Sequence, residues 1–200
     1  MLKMFDKWAC NEVKVADPGL AKYLGLEDML IPHTFGAESG RKYVKKSINV
    51  VERLVNKLMR TGQGKKKLGG KFIRGRGYPA NKLKVMKIVE TAFAIVEEKT
   101  KSNPIQQLAM AIQNSSPRED VTRLKKGGVA YSESVDISPI RRLDEAIKNI
   151  ALAAFATSFD NNKSAADALA EEILLAAKND NKSYAVRRKD EMERIAKSSR

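Results

Sequence analysis

Apolar residues recur at alternating spacings of three and four along much of this chain, a period that admits α-helices and little else. Val44, Ile48, Val51, Val55 and Leu58 form one stripe, and Ile140, Leu143, Ile147, Ile150 and Ala154 form another. A third runs over about 81–100 through Val85, Val89, Ala92 or Phe93, and Val96. Ile105, Leu108, Ala109 and Ile112 mark a fourth, Leu169, Ile173 and Ala176 a fifth, and a charged sixth helix is expected from Tyr184 to Lys197. Capping chemistry stands where these segments begin: Ser47, Asn103-Pro104 with Gln106, Ser138-Pro139, and Ser164 with Asp167. The predicted fold is mainly α, a bundle of about six helices.

One stretch breaks the period. Gly127-Gly128 separates two β-compatible runs, roughly 119–126 and 129–137, and a two-residue glycine turn between such runs predicts a hairpin. A single protruding two-stranded β-hairpin arm is therefore expected. Residues 1–40 have weak periodicity, with one short helical turn near Leu20–Leu24, and "RKYVKK" (41–46) is strongly basic. The organisation that follows is an N-terminal extension with a basic arm over 1–46, then one helical domain over 47–200.

Charge is distributed very unevenly. The chain carries 38 Lys and Arg against 24 Asp and Glu, a net +14. Residues 41–101 hold 18 of those cations against 4 acids, and no acid stands between Glu52 and Glu90. Solvated helical surfaces interleave both signs, so a one-sided block points to an anionic partner. Its centre is the glycine-rich stretch 61–80, in which Gly62, Gly64, Gly69, Gly70, Gly75, Gly77 and Pro79 predict a basic loop without a regular element.

Catalytic chemistry finds no candidates. One cysteine, Cys10, excludes an internal disulfide and a cysteine-based zinc site, and one histidine, His33, excludes a histidine pair. "GQGKKK" and "GRGYPA" begin as phosphate loops but lack the third glycine. No metal, cofactor or small-molecule substrate is expected, and the acids of Glu171-Glu172 read as solvated helix faces. No run of about 18 apolar residues exists, so no membrane span is expected. Trp8 reads as an anchor against the core.

Binding chemistry is abundant. Lys65, Lys66, Lys67, Lys71, Arg74, Arg76 and Lys82 in and beside the basic loop suit phosphate neutralisation, with Phe72 and Tyr78 able to stack on unpaired bases. Arg123, Lys125 and Lys126 approach the hairpin tip, which suits a nucleic-acid groove or, equally, a charged guard on an edge strand. Arg141 and Arg142 stand in the first turn of a helix, where cations oppose the dipole. Two readings stay open: a phosphate bound at that helix start, or local pairing of Arg141 with Glu145.

Four segments in order then become specific: "INVVERLVNKLM", "NPIQQLAMAIQNSSPREDVTRLKKGGVAY", "VDISPIRRLDEAI" and "SYAVRRKDEMERIAKSSR". Together they resemble the small-subunit ribosomal protein seven family from about residue 20 onward, and "IPHTFG" is similar to its archaeal and eukaryotic branch. The resemblance implies a helical bundle with a ribbon arm, in the cytoplasm, and a primary binder of small-subunit rRNA that nucleates head assembly. It implies a place beside the mRNA exit path and the exit-site tRNA, and contact with the eleventh small-subunit protein family. By position, Arg41, Lys42, Lys45 and Lys46 match the family's RNA-binding approach to the first helix, and Arg118, Arg123, Lys125 and Lys126 its ribbon arm. Arg141 and Arg142 fall on its helix start. "LGGKFIRGRGYPAN" (68–81) looks like an addition to the family pattern. The alternative is a nucleic-acid chaperone or assembly factor using the same basic surface.

Overall fold

The least polar helix of the chain, "AADALAEEILLAA", can be covered on nearly every side, and the fold is built around it. A computed structural model describes residues 2–36, 44–61, 63–68, 71–74, 81–159 and 161–199, without the side chains of 44, 63–68, 71–74 and 126. Its helices are α1 (Pro18–Ala21), α2 (Val50–Leu58), α3 (Lys82–Thr100), α4 (Pro104–Ser115), α5 (Pro139–Ser158), α6 (Ala165–Ala177) and α7 (Tyr184–Ser198). Helix α6 lies at the centre, packed on α3, α4 and α5. Its alanines 166, 168, 170, 176 and 177 are buried and allow close approach, while Leu169 and Ile173 fill the space between helices. Leu143, Ile147 and Ile150 of α5, Val89, Phe93 and Val96 of α3, and Ile105, Leu108 and Ile112 of α4 complete one core. The predicted stripes are the buried faces from Val51 to Leu58 and from Leu143 to Ala154; Val44 and Ile48 precede α2, where Ile48 is half-buried, as is Ile140 at the start of α5.

The first thirty residues, expected as an extension, feed the same core through Met4, Trp8, Cys10, Leu20 and Leu24. Trp8 is the anchor its sequence context suggested: its ring meets Phe93 edge-on at 5.7 Å. Its Nε1–H donates to Glu97 Oε2 at 3.0 Å, so the one polar atom of the ring is satisfied. Gly25 is required where this segment passes α2. It has φ +57°, and a Cβ there would stand 2.5 Å from the Ile48 carbonyl oxygen.

Three local expectations are corrected. Helix α2 is capped by Asn49, not Ser47. The Asn49 side chain accepts from Val51 N–H at 2.9 Å while donating to Glu27 O at 2.9 Å, so tertiary contact selects the cap. Gln106 does not close a capping box. Its amide makes paired bonds to the Lys14 backbone, 2.8 and 2.9 Å, and ties down the N-terminal segment instead. Glu172 is buried rather than solvated. Its Oε1 accepts from Ser183 Oγ (2.7 Å) and Ala185 N–H (3.0 Å), satisfying free donors at the start of α7.

The arm is two antiparallel strands, β3 (Glu119–Lys126) and β4 (Val129–Asp136), in continuous register from Glu119 opposite Asp136 to Lys126 opposite Val129. Gly127 and Gly128 have φ +60° and +83°, the positive pair a type I′ turn demands. A second ribbon corrects the basic-loop expectation. Strands β1 (Gln63–Leu68) and β2 (Lys71–Arg74) pair antiparallel, with Leu68 opposite Lys71 and an irregularity between Gln63 and Lys67. Gly69-Gly70 between "KKKL" and "KFIR" is the same sequence signal as Gly127-Gly128. Gly64 lies within β1, and the other glycines of the stretch lie outside the described residues.

Candidate nucleic-acid interface

Glu52, Arg53 and Lys57 of helix α2 meet charged partners from other elements, and two clusters form there. In the first, Asp144 of α5 receives three cations: Lys45 Nζ at 2.5 Å, Arg53 Nη2 at 3.2 Å and Lys57 Nζ at 3.9 Å. Arg53 is buried and spends Nη1 on the Tyr23 and Lys45 carbonyls. Burial alone would push the Asp144 carboxyl up, but Lys45, Arg53 and Lys57 outweigh it and hold it below its ordinary range. Burial pushes Lys57 below the ordinary lysine value, opposed by Asp144 and aided by Lys45 and Arg60. One carboxylate cannot neutralise three cations, and Glu145, the other acid that acts on Lys57, is already paired with Lys148, so positive charge is in excess even before exposed Arg60 is counted. Beside them Lys46 Nζ sits 5.9 Å from the Tyr23 ring centroid.

The second cluster is balanced. Glu52, 3 % exposed at its side chain, accepts from Lys82 Nζ at 2.7 Å. It also accepts from Thr34 N–H (3.1 Å) and Thr34 Oγ1 (3.3 Å), all on Oε1. Lys82 is thereby absorbed by the fold.

The arginines at the start of α5 are likewise engaged. Arg142 Nη2 donates to Asp17 Oδ2 at 2.9 Å and to Ser116 Oγ at 3.3 Å, joining the N-terminal segment to the end of α4. Burial would raise the Asp17 carboxyl, but the Arg142 bond and the Gly19 N–H lower it below its ordinary value. Arg141 pairs with Asp120 at the base of the arm, 2.9 Å, not with Glu145. Glu145 instead takes Lys148 at 2.8 Å. Ser138 makes no side-chain cap on α5.

The arm presents two unlike faces. Cross-strand partners share a face, which places Arg123 with Ser132 and Lys125 with Ala130 on one side. Leu124 with Tyr131 falls on the other, as does Val129 two residues before Tyr131. Arg118, Arg123 and Lys125 are exposed, as are Leu124, Val129 and Tyr131. Of the remaining expected contacts, Lys65, Lys66, Lys67, Lys71 and Arg74 lie on the β1–β2 ribbon with side chains outside the described residues, as is that of Lys126. Phe72 is placed likewise, while Arg41, Lys42, Arg76 and Tyr78 lie outside the described residues altogether.

Sequence reasoning missed Arg53, Lys57 and Asp144. Nothing in their spacing along the chain brings α2 and α5 together at that point.

These clusters, faces and elements can be set beside known proteins. The family described as "Ribosomal protein S7p/S5e" matches residues 26–200. The chain belongs to this family. Among curated relatives, "Small ribosomal subunit protein uS7" of Thermoplasma volcanium is 49 % identical over 197 residues, 98 % of this chain and 100 % of that protein. The protein of the same description in Methanothermobacter thermautotrophicus is 45 % identical over 199 residues, 100 % of both chains. That of Methanococcus aeolicus is 44 % identical over 200 residues, 100 % of this chain and 99 % of the relative. The similarity therefore reaches through the N-terminal segment and both ribbons.

Proposed function

We infer that this chain is a structural constituent of the small ribosomal subunit that binds rRNA and acts in translation. The end-to-end likeness to small-subunit proteins carries that conclusion, and the charge distribution agrees with it. The finer reading is that the chain is a primary rRNA binder nucleating assembly of the subunit head. On this reading the RNA backbone lies along the surface formed by Lys45, Lys46, Lys57 and Arg60 and continues onto the β1–β2 ribbon, with Arg41 and Lys42 as further contacts by their place in the sequence. The excess charge at Asp144 supports it, because a cation cluster unpaired within the protein gains most from a phosphate. The arm, cationic through Arg123 and Lys125, reaches toward the mRNA exit path and exit-site tRNA, and the eleventh small-subunit family is a neighbour.

Sedimentation separates this from a chaperone that uses the same surface. A constituent tracks stoichiometrically with mature small subunits through a gradient. Presence only on precursor particles, or free at the top, would make it an assembly factor.

A further inference from the structure

Phe35 is held in the left-handed backbone region at φ 51°, followed by Gly36 at φ 76°, and its side chain is 79 % exposed. A bulky residue in that region is strained, and a large apolar ring in water gains nothing for the fold. The ring is nevertheless fixed. It stacks on the His33 imidazole at 4.2 Å between centroids with 10° between planes, and Phe35 N–H donates to His33 Nδ1 at 2.9 Å. His33 is fixed in turn: Lys82 Nζ stands 3.2 Å from the same nitrogen and is anchored on buried Glu52. Thr34, between the two rings, is bound to Glu52 through both N–H and Oγ1. A buried ion pair thus supports a strained loop whose product is one aromatic ring facing solvent.

We propose that the Phe35–His33 pair is a preformed stacking platform for a single unpaired base of the RNA. The exposed face of Phe35 extends an existing stack, so a base adds to it without reorganising the protein. The surroundings do not repel a polyanion: Lys84 is exposed in the first turn of α3, and the one carboxylate in the support is buried and neutralised by Lys82. A single ring is enough for a base; the other exposed apolar residues of this loop and of the start of α3, Leu30, Ile31 and Leu83, are aliphatic and add no second ring. The proposal rests on the RNA-binding reading and adds a base contact to its phosphate contacts.

The test uses full-length protein and a transcript of the small-subunit rRNA head domain. Phe35→Ala and Phe35→Leu should each lower affinity about five- to a hundredfold, the range base–aromatic stacking supplies, with the salt slope unchanged because no charge is lost. Phe35→Trp should keep affinity, and its emission should be quenched by RNA beyond any change in the parent, whose only tryptophan is buried Trp8. Phe35→Gly should melt no lower than the parent, because it relieves the left-handed strain. Parent-like binding by the leucine variant would show that apolar bulk, not a ring, is used, and would overturn the platform. So would parent-like RNA binding by all variants, including the case where they fail to join particles because Phe35 meets a protein. A marked drop in melting temperature of the glycine variant would make the ring structural and equally overturn the idea. If the parent itself fails to bind the transcript, the RNA-binding reading falls; if the parent binds and the variants bind alike, only the platform falls.

Discussion

Helix α2 contributes to two ion clusters, each built on one carboxylate, and they reach opposite results. At Glu52 one carboxylate meets one lysine, both withdrawn from water, and the charge closes on itself. At Asp144 one carboxylate meets two lysines and an arginine, Lys45 keeps a 60 % exposed side chain, and positive charge is left over. The first cluster holds the loop before α2 against the start of α3; the second leaves cations to offer. A count of basic residues along the sequence treats Lys45 and Lys82 alike. The difference between them is whether a buried acid has already claimed the charge.

The comparison is broken most severely by Lys82→Met. It leaves the Glu52 carboxylate buried with only Thr34 as donor, and removing one partner of a buried pair costs about 3–5 kcal/mol. Chemical denaturation should show a loss of that order. The salt slope of RNA binding, measured where the variant is still folded, should not change, because Lys82 has no charge free for phosphate. A slope lower by about one unit would place Lys82 on the RNA after all.

Next in size is Asp144→Asn. Hydrogen bonds to charged groups contribute about 1.5–3 kcal/mol each, and the amide keeps part of the geometry, so a loss of about 1.5–3 kcal/mol is expected at neutral pH. The sign with pH follows from the lowered folded-state carboxyl. Its stabilisation is complete above the unfolded value, about 3.9, and is lost as pH falls through the folded one. The parent should therefore lose stability on acidification below about pH 4, and the variant should lose less over the same window. Asp17, lowered mainly by Arg142 against its burial, contributes the same trend in both proteins. RNA affinity should rise, since Lys45 and Lys57 are released. Unchanged acid dependence would mean that the three cations do not hold Asp144 ionised.

Which of these outcomes could be read from the sequence divides along the same line. Stripes such as Leu143, Ile147 and Ile150 are legible because period 3.6 is a local property that burial then uses. The arm is legible because Gly127-Gly128 states its turn chemistry within two residues. The β1–β2 ribbon was hidden because the many glycines around it outweighed the same Gly-Gly signal at 69–70. Charge partners were the least legible. Arg142 with Asp17 spans 125 residues, and Arg53 with Asp144 spans 91. The Arg141–Glu145 pair, four residues apart and one of the two readings left open by the sequence, lost to Asp120 on another element. Local rules set which residues are charged; only the packing of α2, α5 and the N-terminal segment decides which charges remain for a partner.

The smallest effect on the fold, and the sharpest on the comparison, comes from Lys45→Gln. Its contact with Asp144 is largely solvent-exposed on the lysine side, and such pairs contribute about 0–1 kcal/mol. Arg53 and Lys57 remain to hold the carboxylate, so the melting temperature should barely move. RNA binding should respond differently. If Lys45 meets a phosphate, removing its charge releases one counterion fewer, and the slope of log affinity against log salt should fall by about 0.7–0.9. Lys82→Met and Lys45→Gln each remove one positive charge, the first at the start of α3 and the second in the segment Val44–Lys46 that precedes α2, so the pair of measurements is a crossed test. Stability should fall only with the first, and salt slope only with the second. Equal slopes for both variants would show that exposure at Asp144 does not translate into phosphate contact, and that the RNA path runs elsewhere on the basic block.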